Sequence, residues 1–116
     1  MRKKPGEIRD ENDVKTKVVK PWYDARRAWH YMPVQTGRGE GGIPDHVGCV
    51  PTLITQDMVG QVIGRFVAVE AKRPGRRGEP NRGATEQQKE NLIGIVAAGG
   101  IGIVCDSVED LERIQL

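Results

Sequence analysis

Two short segments decide how this chain is read: Gly42-Ile43-Pro44-Asp45, and further on Phe66-Val67-Ala68-Val69-Glu70-Ala71-Lys72. Phe66 to Val69 form an apolar run with enough β-branching for a strand. Glu70 and Lys72 follow with one residue between them. Strand side chains alternate between faces, so Glu70 and Lys72 share a face and Ala71 points the other way. An acid and a base at the end of a buried strand are costly unless they pair or hold something. In the first segment Gly42 and Pro44 fix a turn, and Asp45 leaves it just before Val47, Cys49 and Val50. If the two segments pair, Asp45 and Glu70 face one another and two carboxylates converge with a lysine. Two close carboxylates repel unless a proton or a metal lies between them. Oxygen-only ligands favour a hard cation such as Mg²⁺.

Outward from these segments, the chain supports one domain. At 116 residues it is long enough for a single core, and no apolar run approaches a membrane span. Met1–Asp10 is polar and charged, reads as a flexible N-terminus and shows no signal peptide. The domain proper is expected over 11–116. Cys49 and Cys105 have neither metal-site nor disulfide-framework spacing, and read as buried free thiols in a reducing compartment. The formal net charge of +2 does not announce a nucleic-acid binder. Its distribution says more, because Lys72, Arg73, Arg76, Arg77 and Arg82 crowd one Gly/Pro-rich loop that holds a single acid, Glu79. That loop is either solvated surface or a flexible arm for phosphates.

Taken in order, Glu11 to about Arg27 reads as a helix with Val14, Val18 and Trp22 at four-residue steps on its apolar face. Pro21 either kinks it or divides it near Lys20. Glu11 suits the first turn, where a carboxylate favours the helix dipole. Ala28–Gln35 suits a strand, followed by a glycine-rich loop over 36–42. That loop lacks the ending of a phosphate-binding P-loop, so no nucleotide cofactor is expected, although Arg38 within it has the chemistry to contact a backbone phosphate. Thr55 is placed to cap a short helix over 56–61 within a long connection. Thr85-Glu86-Gln87-Gln88 has capping-box spacing and opens a helix that Gly99-Gly100 ends. Ile101–Cys105 is a continuous apolar strand, expected to be buried on both faces. Ser107 caps a last short helix over 108–114, with Asp110 three residues on. The order is α, β, β, β, α, β, α.

Pro44-Asp45, then Glu70-x-Lys72 at the end of an apolar strand, resembles the PD-(D/E)XK nuclease superfamily. With Glu11 leading a helix, a basic loop, Thr85-x-x-Gln88 and Ala98-Gly99-Gly100 before a strand, the chain resembles a stand-alone VRR-NUC domain of the bacteriophage type over roughly 11–114. The resemblance implies an α/β fold with a restriction-endonuclease-like core, a small mixed β-sheet flanked by helices. It implies that Glu11, Asp45, Glu70 and the Ala71 carbonyl bind Mg²⁺ or Mn²⁺. Glu7 is the alternative to Glu11. Lys72 would act on the attacking water and Gln88 would complete the site. Arg38, Arg73, Arg76, Arg77 and Arg82 would contact nucleic acid. The activity implied is a metal-dependent DNA endonuclease acting on branched DNA such as Holliday junctions or flaps. It would work as a homodimer, in the cytoplasm of the host if from a bacteriophage. The alternative is an inactive nucleic-acid-binding module with the same fold.

Overall fold

The computed structural model describes residues 6–34, 42, 44–79 and 83–116, so Arg38 and Arg82 lie outside the described residues. The chain falls into two units, Met1–Pro51 and Thr52–Leu116. It is mixed α/β, with small sheets and helices, and its elements follow the expected order. Among the described residues no helix is long and apolar enough to cross a membrane.

The first unit opens with three helical segments in unbroken succession, Glu11–Asp13, Val14–Val19 and Lys20–Ala25, together called α1. Asp10 caps it, its side chain accepting from the Asp13 N–H at 2.8 Å. Residues before the cap are also tied down: the Arg9 N–H donates to the Asp13 carboxylate and Lys17 Nζ to the Glu7 carbonyl. This part of the N-terminus is therefore held against the helix. Val14–Val19 is a π-helix, with the Lys20 N–H reaching the Lys15 carbonyl five residues back. Pro21 accounts for it. Proline has no N–H to donate, and its ring would collide with the carbonyl four residues back in an α-helix. Widening the preceding turn lets the helix pass through Pro21 without a break.

The widened turn also changes which residues face inward. Val14, Val18 and Trp22, the expected core stripe, are nearly half exposed, while Asp13 is almost completely buried. Asp13 is held by the Arg9 N–H and by Lys17 Nζ at 3.4 Å. At the C-terminus Arg27 takes φ +55°, and the Ala28 and Arg27 N–H groups return to the Tyr23 and Asp24 carbonyls. This is a Schellman ending with arginine where glycine is usual. Strand β1 (Trp29–Tyr31) then pairs antiparallel with β2 (Val47–Cys49), in the register Trp29–Cys49, His30–Gly48, Tyr31–Val47.

In the second unit a single 3-10 turn, Gln56–Met58, stands where the short helix over 56–61 was expected. Strand β3 (Val67–Ala71) pairs in parallel with β4 (Ile101–Cys105). Helix α2 (Glu86–Ala97) forms the crossover. Its capping box is complete, with Thr85 accepting from the Gln88 N–H and the Gln88 side chain accepting from the Thr85 N–H. Its end is a Schellman motif on Gly99 (φ +94°), with the Gly100 N–H returning to the Ile95 carbonyl. Ile95 is the buried position of this helix, and its C-cap Ala98 is buried as well. Leu92 lies so close to β4 that a Cβ on Gly102 would stand 3.0 Å from its carbonyl oxygen. A short helix, α3 (Val108–Glu112), closes the unit.

Three expectations change here. The segment after Asp45 takes β1 as its ladder partner, and the Glu70 strand takes β4. β4 is half-buried along its length and not sealed on both faces. Ser107 holds the cap position of α3, but no hydrogen bond from its side chain caps the helix. Instead Asp110 reaches back to accept the Asp106 N–H at 3.0 Å.

Candidate functional site

β3 alternates as its sequence requires. Val67, Val69 and Ala71 are exposed, while Ala68 and Glu70 turn to the half-buried side. Lys72 continues the alternation one residue past the strand, held by its N–H to the Cys105 carbonyl at 2.8 Å. The first turn of α2 brings Gln88 to the same place. Gln88 Nε2 donates to Glu70 Oε1 at 2.8 Å, and Gln88 Oε1 accepts from Lys72 Nζ at 3.1 Å and from the Thr85 N–H at 2.9 Å. Lys72 Nζ is also 3.4 Å from Glu70 Oε1. The helix cap and the charged pair thus share one amide. Rotating Gln88 away would leave a carboxylate, an ammonium and a main-chain N–H each short of a partner.

In the first unit Glu11 and Asp45 meet through a cation. Lys15 Nζ lies 3.7 Å from Glu11 Oε1 and 3.8 Å from Asp45 Oδ1. Both carboxylates are exposed, so each pairing is weak in water, but an ammonium stands where two acids come together. Glu7, the alternative to Glu11, has its carboxylate 3.9 Å from Arg9 Nε. The structure therefore gathers Glu70, Lys72 and Gln88 as one set, and Glu11, Asp45 and Lys15 as another. The acids of both sets are oxygen donors of the kind a hard cation takes, and each has a lysine ammonium beside it. No group of three or more His, Cys, Asp or Glu side chains among the described residues is arranged to hold a metal ion. The Ala71 side chain lies on the exposed face of β3.

Residues 73–79 of the basic loop are folded into turns. Arg73-Pro74-Gly75-Arg76 is a turn closed by the Arg76 N–H to the Arg73 carbonyl at 3.0 Å, with Gly75 at φ +81° as a type II turn requires. A second turn follows, the Glu79 N–H donating to the Arg76 carbonyl. Asp106 Oδ2 accepts the N–H groups of Gly75 and Arg77, at 3.1 and 3.2 Å. The Arg77 guanidinium pairs with the buried Asp110. The Asp106 N–H and, against the cost of burial, Arg77 hold the Asp110 carboxyl below the ordinary carboxylate range. Arg77 is thus engaged within the fold, whereas Arg73 and Arg76 have no side-chain partner among the described residues.

One cluster has no counterpart in the motifs read from the sequence. His30 Nε2 is 2.6 Å from Asp24 Oδ1, and His30 Nδ1 is 2.7 Å from His46 Nε2. Tyr23 stacks on both imidazoles, with ring centroids 4.9 and 4.7 Å away. With both rings neutral, Asp24 fixes the tautomers. His30 donates from Nε2, accepts at Nδ1 from His46 Nε2, and leaves His46 Nδ1 as an acceptor. That atom is buried without a partner among the described residues. Burial, then the neighbouring His30, push the His46 pKa below the ordinary histidine value, with Asp24 opposing. The signal was the ladder itself: His30 lies opposite Gly48, so His46, two residues earlier, is its diagonal neighbour on the same face. No family model matches the chain, nor does any curated protein or solved structure.

Proposed function

We propose that this protein is a metal-dependent DNA endonuclease of the PD-(D/E)XK kind, with a restriction-endonuclease-like core. The observation that carries the reading is the meeting of Glu70, Lys72 and Gln88 on one face at the end of β3, with Lys72 Nζ 3.4 Å from the Glu70 carboxylate and 3.1 Å from the Gln88 carbonyl oxygen. A structural domain has little reason to gather an acid, a base and a helix-capping amide at one strand end. A phosphodiester hydrolase needs such a group. Lys72 would orient the attacking water and neutralise charge that develops at phosphorus, and Gln88 would hold both charged groups in place. Glu11, Asp45, Glu70 and the Ala71 carbonyl would be the oxygen ligands of Mg²⁺ or Mn²⁺, which supplies Lewis acidity and lowers the pKa of bound water. Branched DNA as substrate, a homodimeric assembly and a place in the cytoplasm, that of the host if the source is a bacteriophage, belong to this same proposal and rest on the resemblance.

The test is nicking of a supercoiled plasmid and of a synthetic four-way junction with Mg²⁺, Mn²⁺, Ca²⁺ or excess chelator. Cleavage is expected with Mg²⁺ and Mn²⁺ only. Asp45→Ala and Glu70→Ala should abolish it and lower Mn²⁺ affinity, whereas Lys72→Ala should abolish it with Mn²⁺ affinity retained. Full cleavage in chelator, or by Asp45→Ala, refutes the reading. One observation favours a second reading, a nucleic-acid-binding module without chemistry: each proposed carboxylate ligand already has a lysine ammonium beside it. Under that reading the parent protein binds DNA, cuts none with any metal, and binds it equally well after Asp45→Ala.

A further inference from the structure

The loop from Lys72 to Glu79 presents a contradiction in charge. A segment whose arginines suit a polyanion is fastened by two carboxylates, Asp106 and Asp110, that would repel the same polyanion. The fastening is specific. Asp106 Oδ2 takes the two main-chain N–H groups on either side of Arg76, and Asp110 takes the Arg77 guanidinium. The two acids are linked in turn, Asp110 Oδ2 accepting the Asp106 N–H. Arg73 and Arg76 are the first and last residues of one tight turn, which places their Cα atoms within about 7 Å of each other. Gly83 closes the loop from the other side: a Cβ there would stand 2.7 Å from the carbonyl oxygens of both Arg77 and Glu79.

We propose that Asp106 and Asp110 are positioning residues for DNA binding: they hold the loop so that Arg73 and Arg76 face the phosphate backbone, and Arg77 is their tether and not a phosphate contact. The proposal rests on the nuclease reading for the identity of the polyanion. It assigns the three arginines different tasks and gives two acids a role opposite in sign to their charge.

The sign makes it testable. Asp106→Asn and Asp106→Ala remove the same negative charge, but only asparagine keeps an oxygen acceptor for the Gly75 and Arg77 N–H groups. Binding to a fluorescein-labelled duplex would be measured in chelator across a salt series. If charge alone mattered, both variants would bind more tightly than the parent. Positioning predicts that Asp106→Asn binds at least as well as the parent. Asp106→Ala should bind about tenfold more weakly, with a log–log salt slope shallower by about two, because Arg73 and Arg76 would each let go of a phosphate. Gly83→Ala, which changes no charge, should resemble Asp106→Ala. Amide exchange supplies a readout independent of DNA. The Gly75 and Arg77 amides should exchange slowly in the parent and in Asp106→Asn, and rapidly in Asp106→Ala, with β3 and β4 unaltered. Should Asp106→Ala fail to fold, Gly83→Ala and exchange in the parent carry the test. Equal tightening by both Asp106 variants, or rapid exchange of both amides in the parent, overturns the proposal and leaves the nuclease reading standing. A parent protein that binds no DNA at any salt overturns both.

Discussion

Gln88→Glu is the sharpest perturbation of the candidate site, because it changes one hydrogen-bonding group and almost no volume. The new carboxylate can still accept from Lys72 and from the Thr85 N–H, but it cannot donate to Glu70 Oε1, which lies 2.8 Å from Gln88 Nε2. Losing a hydrogen bond to a charged group costs about 1.5–3 kcal/mol, and two facing carboxylates add repulsion. The loss has a ceiling. A protonated carboxyl at position 88 donates again, so the penalty cannot exceed the cost of protonating an ordinary glutamic acid, about 3.7 kcal/mol at pH 7 from a pKa of about 4.3. The expected destabilisation at pH 7 is therefore about 2–3.5 kcal/mol. Its pH dependence is fixed in sign. The pKa at position 88 is raised by folding, so the variant matches the parent below about pH 4.3 and falls behind by up to about 1.4 kcal/mol per unit as pH rises. Urea unfolding of parent and variant at pH 4, 5.5 and 7 measures the difference. A gap that does not change with pH, or none at pH 7, would show that Gln88 does not bridge Glu70 and Lys72.

Arg27→Gly should stabilise the protein by about 0.5–1 kcal/mol, since Arg27 holds a left-handed conformation that glycine adopts freely, and a rise in melting temperature would show it. Gly48→Ala should destabilise by about 1–3 kcal/mol, because a Cβ there overlaps the ring of Tyr23 and must break its stack on the histidines; loss of the upfield ring-stacked proton signals in NMR would accompany it. His46 has a folded-state pKa below its unfolded one, so the stability it contributes is present above about pH 6.5 and lost as pH falls through the lowered value. His46→Gln should flatten the acid limb of a stability–pH curve below about pH 6.5, and an unchanged limb would assign that limb to other groups.

What could be read in the sequence was what is local. Thr85 and Gln88 are three residues apart and Gly99 follows the helix they open, so both ends of α2 were legible in order and position. The β3 alternation that sets Glu70 beside Lys72 is equally local. What failed depends on partners far along the chain. β2 had a choice of ladder partner that its own residues do not state, and it took β1. The stripe Val14, Val18, Trp22 assumed an α-helical pitch, and Pro21, visible but read only as a kink or a break, widened the preceding turn instead. Asp110 read only as part of a cap, and nothing local marks Asp106, because their work on Gly75 and Arg77 spans some thirty positions.

The π segment of α1 gives the chain an unusual relation to its own length. Within Val14–Val19 the main chain carries one residue more than an α-helix needs for the same rotation, so the segment behaves as an absorbed insertion. Deleting one residue there would let α-helical pitch return while Glu11 and the buried Asp13 keep nearly the same angle about the axis. What the deletion removes is the widened turn, so the Pro21 ring would meet the carbonyl four residues back. The cost of a single-codon deletion in this helix is therefore lodged at Pro21, and adding Pro21→Ala to the deletion would relieve it.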